Sequence, residues 1–83
     1  MEKTIIGGKI KIMADTCENL YQDLIGKTVT VVDMEVMDDN MFFYTVTGTG
    51  RKSKSPYLKG DEEIVFGRDV EIIEYAEFEP IFK

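Results

Sequence analysis

The chain contains no histidine and no tryptophan, a single cysteine, two prolines and no long apolar run. Without histidine it lacks the commonest general base and metal ligand, and Cys17 has no imidazole with which to form a thiolate pair. These absences argue against an enzyme and give no reason to expect a metal or a cofactor. A lone cysteine cannot close an internal disulfide, which fits the reducing cytoplasm. No stretch approaches the roughly 18 apolar residues of a membrane span. The opening segment, Met1 to Gly8, lacks the apolar core of a signal peptide. The expectation is a cytoplasmic protein, of bacterial or phage-encoded style and size, with no membrane contact.

What is present is a globular composition in 83 residues, 43% hydrophobic and 11% aromatic. That length allows one domain whose folding hides about 60–65% of the unfolded surface, so the core is modest. The net charge of -6 is unevenly spread. Residues 48–60 carry Arg51, Lys52, Lys54 and Lys59 and no acid, whereas residues 61–83 carry eight acids against Arg68 and Lys83. An acidic body repels nucleic acid at long range, and one basic loop can still engage a phosphate or an acidic surface locally.

The hydrophobic pattern has the period of two that marks strands with one dry and one wet side. Gly8 to Met13 alternates lysine and isoleucine, placing Ile10 and Ile12 inward and Lys9 and Lys11 in water, with Gly7-Gly8 as a bend before it. Asp15 to Ile25 mixes turn formers with Leu20, Tyr21, Leu24 and Ile25 and reads as a long irregular loop with one helical turn. A second strand over 27–37 changes phase. Val29 and Val31 share one face, and Val32, Met34 and Val36 share the other, which predicts a bulge or sharp bend near Val31–Asp33. Asp38-Asp39-Asn40 makes the hairpin turn, and the third strand, 41–47, turns Phe42, Tyr44 and Val46 inward. Glycine, serine and lysine predict a mobile loop over 48–60. Ile64 to Gly67 is a short segment, and 69–75 is the last main strand, with Val70 and Ile72 inward. Pro80 makes the tail an edge strand or irregular arm.

Five short strands, a long early loop and a bent second strand fit a small all-β barrel. The segments Gly8–Ile12, Leu24–Asp33, Tyr44–Val46 and Phe66–Ile73 resemble those of small bacterial SH3-like barrel proteins with a KOW-type core, over about residues 7–75. The resemblance implies a five-stranded SH3-like barrel with a long first loop, spanning 1–83 as one domain with 76–83 as a C-terminal arm. That barrel hosts RNA binding, protein docking and accessory subunits, so it does not name a function. Lacking tryptophan, the chain is unlike the SH3 domains that bind polyproline. Its acidity sets it apart from the basic KOW domains.

The candidate contacts are therefore few. Gly48 to Ser55 lacks the spacing of a phosphate loop, which leaves Arg51, Lys52, Lys54 and Lys59 as a cationic surface beside Tyr57. Tyr21, Phe43, Tyr57 and Phe78 are candidate exposed aromatics. Asp33, Glu35, Asp38 and Asp39 lack the central glycine of a calcium loop and read as a solvated strand face and turn. The preferred expectation is a non-enzymatic protein-binding module or accessory factor whose partner is another protein. The alternatives are a nucleic-acid-binding barrel that uses the basic loop with stacking on Tyr57, and an acidic inhibitor that mimics nucleic acid against a host protein. The sequence assigns no oligomeric state.

Overall fold

A computed structural model describes residues 2–38 and 41–78. The chain forms five antiparallel strands: β1 (Glu2–Ile12), β2 (Thr28–Asp38), β3 (Met41–Thr47), β4 (Glu63–Phe66) and β5 (Val70–Phe78). Single 3-10 turns at Gln22–Leu24 and Gly67–Asp69 complete the elements. The strands lie in the order β4-β3-β2-β1-β5. The sheet is open, which corrects the expectation of a closed barrel. Phe66 passes through the Gly67–Asp69 turn straight into β5, so β4 and β5 end as opposite edges of one sheet.

The expected phase change in β2 is present. Val31 pairs with Val46 and Asp33 with Thr45, so Val32 is the extra residue of a bulge. Before it, Val29 and Val31 are buried; at it, Val32 turns outward. β1 and β2 are joined by three rungs, Lys9–Thr30, Ile10–Val29 and Lys11–Thr28. On one side of these rungs the first half of β1 runs beside β5, with Lys3 opposite Glu77 and Thr4 opposite Ala76. On the other, β2 beyond the bulge runs beside β3. Two ribbons thus diverge from a short shared centre.

The core sits at that centre. Ile10, Ile12, Val29, Val31, Tyr44, Val46 and Val65 are buried on one face, and the early loop lays Tyr21 and Leu24 over them. Burying a side chain such as Leu24 contributes about 1.5–3 kcal/mol, so this loop is part of the core. Asp15 sets its path by accepting hydrogen bonds from the Cys17 and Tyr21 N–H groups, at 2.8 and 3.1 Å.

Several expected placements change away from the centre. β1 begins at Glu2 rather than Gly8, with Gly7-Gly8 inside it as a bulge between Thr4 and Lys9. Val36 is 71% exposed, because among the described residues no second layer covers the projecting half of the β2–β3 hairpin. Ile72 is opposite buried Ile10 in register but lies on an edge strand and is 39% exposed. Residues 76–78 extend β5, while Pro80 and the rest of the expected arm lie outside the described residues.

Two glycines permit close approaches that a side chain would block. A Cβ on Gly8 would stand 2.5 Å from the Glu74 carbonyl oxygen, and one on Gly67 would stand 2.1 Å from the Phe42 ring. Gly67→Ala is expected to cost about 1–3 kcal/mol through overpacking and to be partly rescued by Phe42→Leu. Gly8→Ala meets backbone that cannot turn aside, so thermal denaturation should show at least as large a loss and no rescue by trimming a side chain.

Candidate functional site

The two edges of the sheet are built differently, and the difference begins with Tyr21. This residue, expected to be exposed, is fully buried. Its hydroxyl donates to Asp69 Oδ2 and accepts from the Phe66 N–H at 3.2 Å. Phe66 ends β4, so the tyrosine occupies a donor on the outer edge of that strand. The other donor of the same parity, the Ile64 N–H, is taken by Glu63 Oε1 at 3.2 Å. Side chains therefore close the β4 edge.

Asp69 holds this arrangement from the 3-10 turn below. Its Oδ2 also accepts from the Thr16 N–H and hydroxyl, at 3.0 and 2.9 Å. Burial pushes its carboxyl up, but the bonds from Thr16 and Tyr21 outweigh that and hold it below the usual 3.8. Burial and the bond to Asp69 push the Tyr21 phenol well above its usual 10.0. Cys17 lies beside them, half-buried, and burial pushes its thiol up, which disfavours the thiolate at neutral pH.

The basic loop is divided by a second buried group. Arg51 was a candidate contact, but it points inward. Its guanidinium reaches Glu63 Oε2 at 2.6 Å, Asp23 Oδ2 at 2.7 Å and the Leu20 carbonyl at 3.0 Å. Glu63 is 1% exposed, so this pair joins the early loop, the basic loop and β4. Lys27 donates to the Thr49 carbonyl at 2.7 Å, and Asp61 accepts from the Thr47 hydroxyl and Gly48 N–H. The base of the loop is thus fastened, contrary to the mobility its composition predicted. Its tip keeps Lys52, Lys54 and Lys59 exposed around Tyr57, which is 92% exposed. Lys54 stands 4.0 Å from Asp23. Phe43 is half-buried and opposite Phe66 in register. Phe78 ends β5 opposite Glu2, and its side chain lies outside the described set.

β5 forms the other edge. Among the described residues no side chain bonds to the backbone of Val70–Phe78, so its outer polar groups face water. Ile72, Ile73 and Tyr75 are exposed beside them and line a shallow groove of about 610 Å³ with Lys3 and Glu74. Glu71, Glu74 and Glu77 are also exposed. Sequence reasoning overlooked this site because Ile72 was assigned to the core and the strand was read as ending at Tyr75. The signal available was the composition of the strand, which is too acidic for an interior position. Among the described residues no three His, Cys, Asp or Glu side chains gather at metal-binding distance.

Two outcomes follow from these groups. Arg51→Ala leaves the buried Glu63 carboxylate without its cation and is expected to cost roughly 3 kcal/mol, measured by urea denaturation. Arg51→Met with Glu63→Leu should recover much of that loss. The pH dependence has two limbs. Asp69, Asp23 and Asp61 are all held below 3.8, by burial outweighed by bonds from Thr16 and Tyr21, by the Arg51 bond and by the Thr47 bond respectively. Their contribution is complete above the ordinary carboxylate range and is lost as pH falls through the lowered values. Tyr21, raised from 10.0, contributes below that pH, and the contribution is lost as pH rises above it. Tyr21→Phe should flatten the alkaline limb, which a titration of unfolding free energy would reveal.

The chain matches no family model, no curated protein and no solved structure.

Proposed function

We propose that the chain is a non-enzymatic protein-binding module, SH3-like in the order of its strands, that receives an extended segment of a partner protein along the outer edge of β5. The observation that carries this reading is the contrast between the two edges. An unpaired edge strand invites pairing with another chain, and proteins cover or interrupt such edges where pairing is unwanted. Here the β4 edge is closed by Tyr21 and Glu63, while the nine-residue β5 edge is open beside exposed Ile72, Ile73 and Tyr75. Strand addition supplies main-chain hydrogen bonds for affinity and alternating side-chain contacts for specificity.

The SH3-like reading is supported by the strand order, by the bulged β2 that belongs to both ribbons and by the 3-10 turn between β4 and β5. The absence of histidine and the raised Cys17 thiol support a role without catalysis. The single cysteine supports a cytoplasmic setting.

A second reading rests on the exposure of Tyr57 among Lys52, Lys54 and Lys59: a base stacks on the ring and phosphates meet the lysines. The two surfaces are separable by mutation. Affinity capture from lysate of the native organism is expected to retain a protein on the wild-type chain, to lose it with Ile73→Lys and Tyr75→Lys together, and to keep it when Lys52, Lys54 and Lys59 are replaced by alanine. Circular dichroism confirms that each variant is folded. Retention that ignores the β5 changes, and is lost with the loop changes, overturns the edge reading in favour of the loop.

A further inference from the structure

The strand already paired with β5 describes what the open side will accept. Each glutamate of β5 is opposite a lysine of β1: Glu71 faces Lys11, Glu74 faces Lys9 and Glu77 faces Lys3. The ladder is interrupted twice. Ile73 is an extra residue of β5 between the Ile10–Ile72 and Lys9–Glu74 pairs, which brings Glu71 and Glu74 to the face of Lys11 and Lys9. Glu77 lies beyond the Gly7-Gly8 bulge. Ile72 opposite Ile10 and Val70 opposite Ile12 are the apolar pairs. Cross-strand neighbours share a face, and opposite charges in that position stabilise pairing whereas like charges oppose it. The three glutamates are exposed, and among the described residues none of them forms an ion pair within 4.0 Å. Their carboxylates therefore remain available to a strand on the outer side.

From this, and resting on the edge reading above, we infer that the occupant of the β5 edge is a cationic extended segment of a partner protein, with lysine or arginine opposite Glu71, Glu74 and Glu77 and apolar residues beside Ile72, Ile73 and Tyr75. Opposite Glu71 and Glu74 the inner strand has the alternation Lys9-Ile10-Lys11-Ile12, and a strand of that pattern presents lysine to both from the outer side. A second copy of β5 is a poor occupant. The antiparallel register centred on Glu74, which would use the whole strand, is disfavoured because it places Glu74 against itself and Glu71 against Glu77. The net charge of -6 further opposes self-association and favours encounter with a basic partner.

The experiment uses the full chain labelled with ¹⁵N and three short peptides that alternate valine with lysine, glutamine or glutamate. The lysine peptide is expected to shift the amides of Val70–Phe78, to bind at least ten-fold more tightly than the glutamine peptide, and to weaken as salt rises. The glutamate peptide should not bind. Replacing Glu71, Glu74 and Glu77 by glutamine should bring the lysine and glutamine peptides to equal affinity. Equal binding of both peptides to β5 of the wild-type chain overturns the cationic selection and leaves the open edge as a docking site. Shifts confined to 52–59, or a β5 edge that responds only to protein concentration, overturn the docking of a partner there as well.

Discussion

The hydroxyl of Tyr21 is the point on which the rest of the structure depends. It joins a loop of 15 residues between β1 and β2 to the end of β4 and to the turn before β5 through two hydrogen bonds. Removing it would leave the Phe66 N–H unmet and take from the buried Asp69 carboxylate one of its donors, leaving only those of Thr16, and unmet buried groups cost more than a hydrogen bond returns when formed. The ring is also buried in the core together with Leu24. A small domain has little hydrophobic surface to spare, so a residue that packs and satisfies two polar groups together carries more than its area suggests. The Arg51–Glu63 pair repeats the pattern at the other end of β4, joining the same early loop to the same edge.

This arrangement explains why the sheet stays open. A strand added to β4 would need the Ile64 and Phe66 donors, and both are occupied within the chain. With only four residues, β4 also offers few rungs. The bulge at Val32 and the Gly7-Gly8 bulge in β1 turn the two ribbons away from each other on either side of three shared rungs. Curvature is therefore present without closure.

The sequence was most legible where one face of a strand meets the core. Ile10, Ile12, Val29, Val31, Tyr44 and Val46 alternate cleanly and are all buried, and the phase change at Val31–Asp33 placed the bulge correctly. It was least legible where burial depends on long-range partners. Nothing near Tyr21 announces that Asp69, 48 residues away, will accept a hydrogen bond from its hydroxyl. Arg51 sits in a run of cations that reads as solvent-facing, and only the fold brings Glu63 and Asp23 to it. Val36 and Ile72 fail in the opposite sense. Their alternation is that of core residues, but an alternating pattern cannot say whether a second layer covers the face. Each lies where the sheet has run out of neighbours.

The two proposed contact surfaces differ in the same physical terms. At the loop tip, Lys52, Lys54 and Lys59 surround Tyr57, but they stand on a chain of net charge -6, and Asp23 lies within 4.0 Å of Lys54. Electrostatic attraction for a polyanion is set by the sum of the field, and here most of the surface opposes it. At β5 the local and global signs agree. The acidic strand lies on an acidic body, its apolar side chains stand beside free backbone groups, and the strand on its inner side is the lysine–isoleucine alternation that complements it. A site is better specified when charge, hydrogen bonding and apolar contact select the same ligand, which is why the proposed docking is placed at the β5 edge and not at the loop tip.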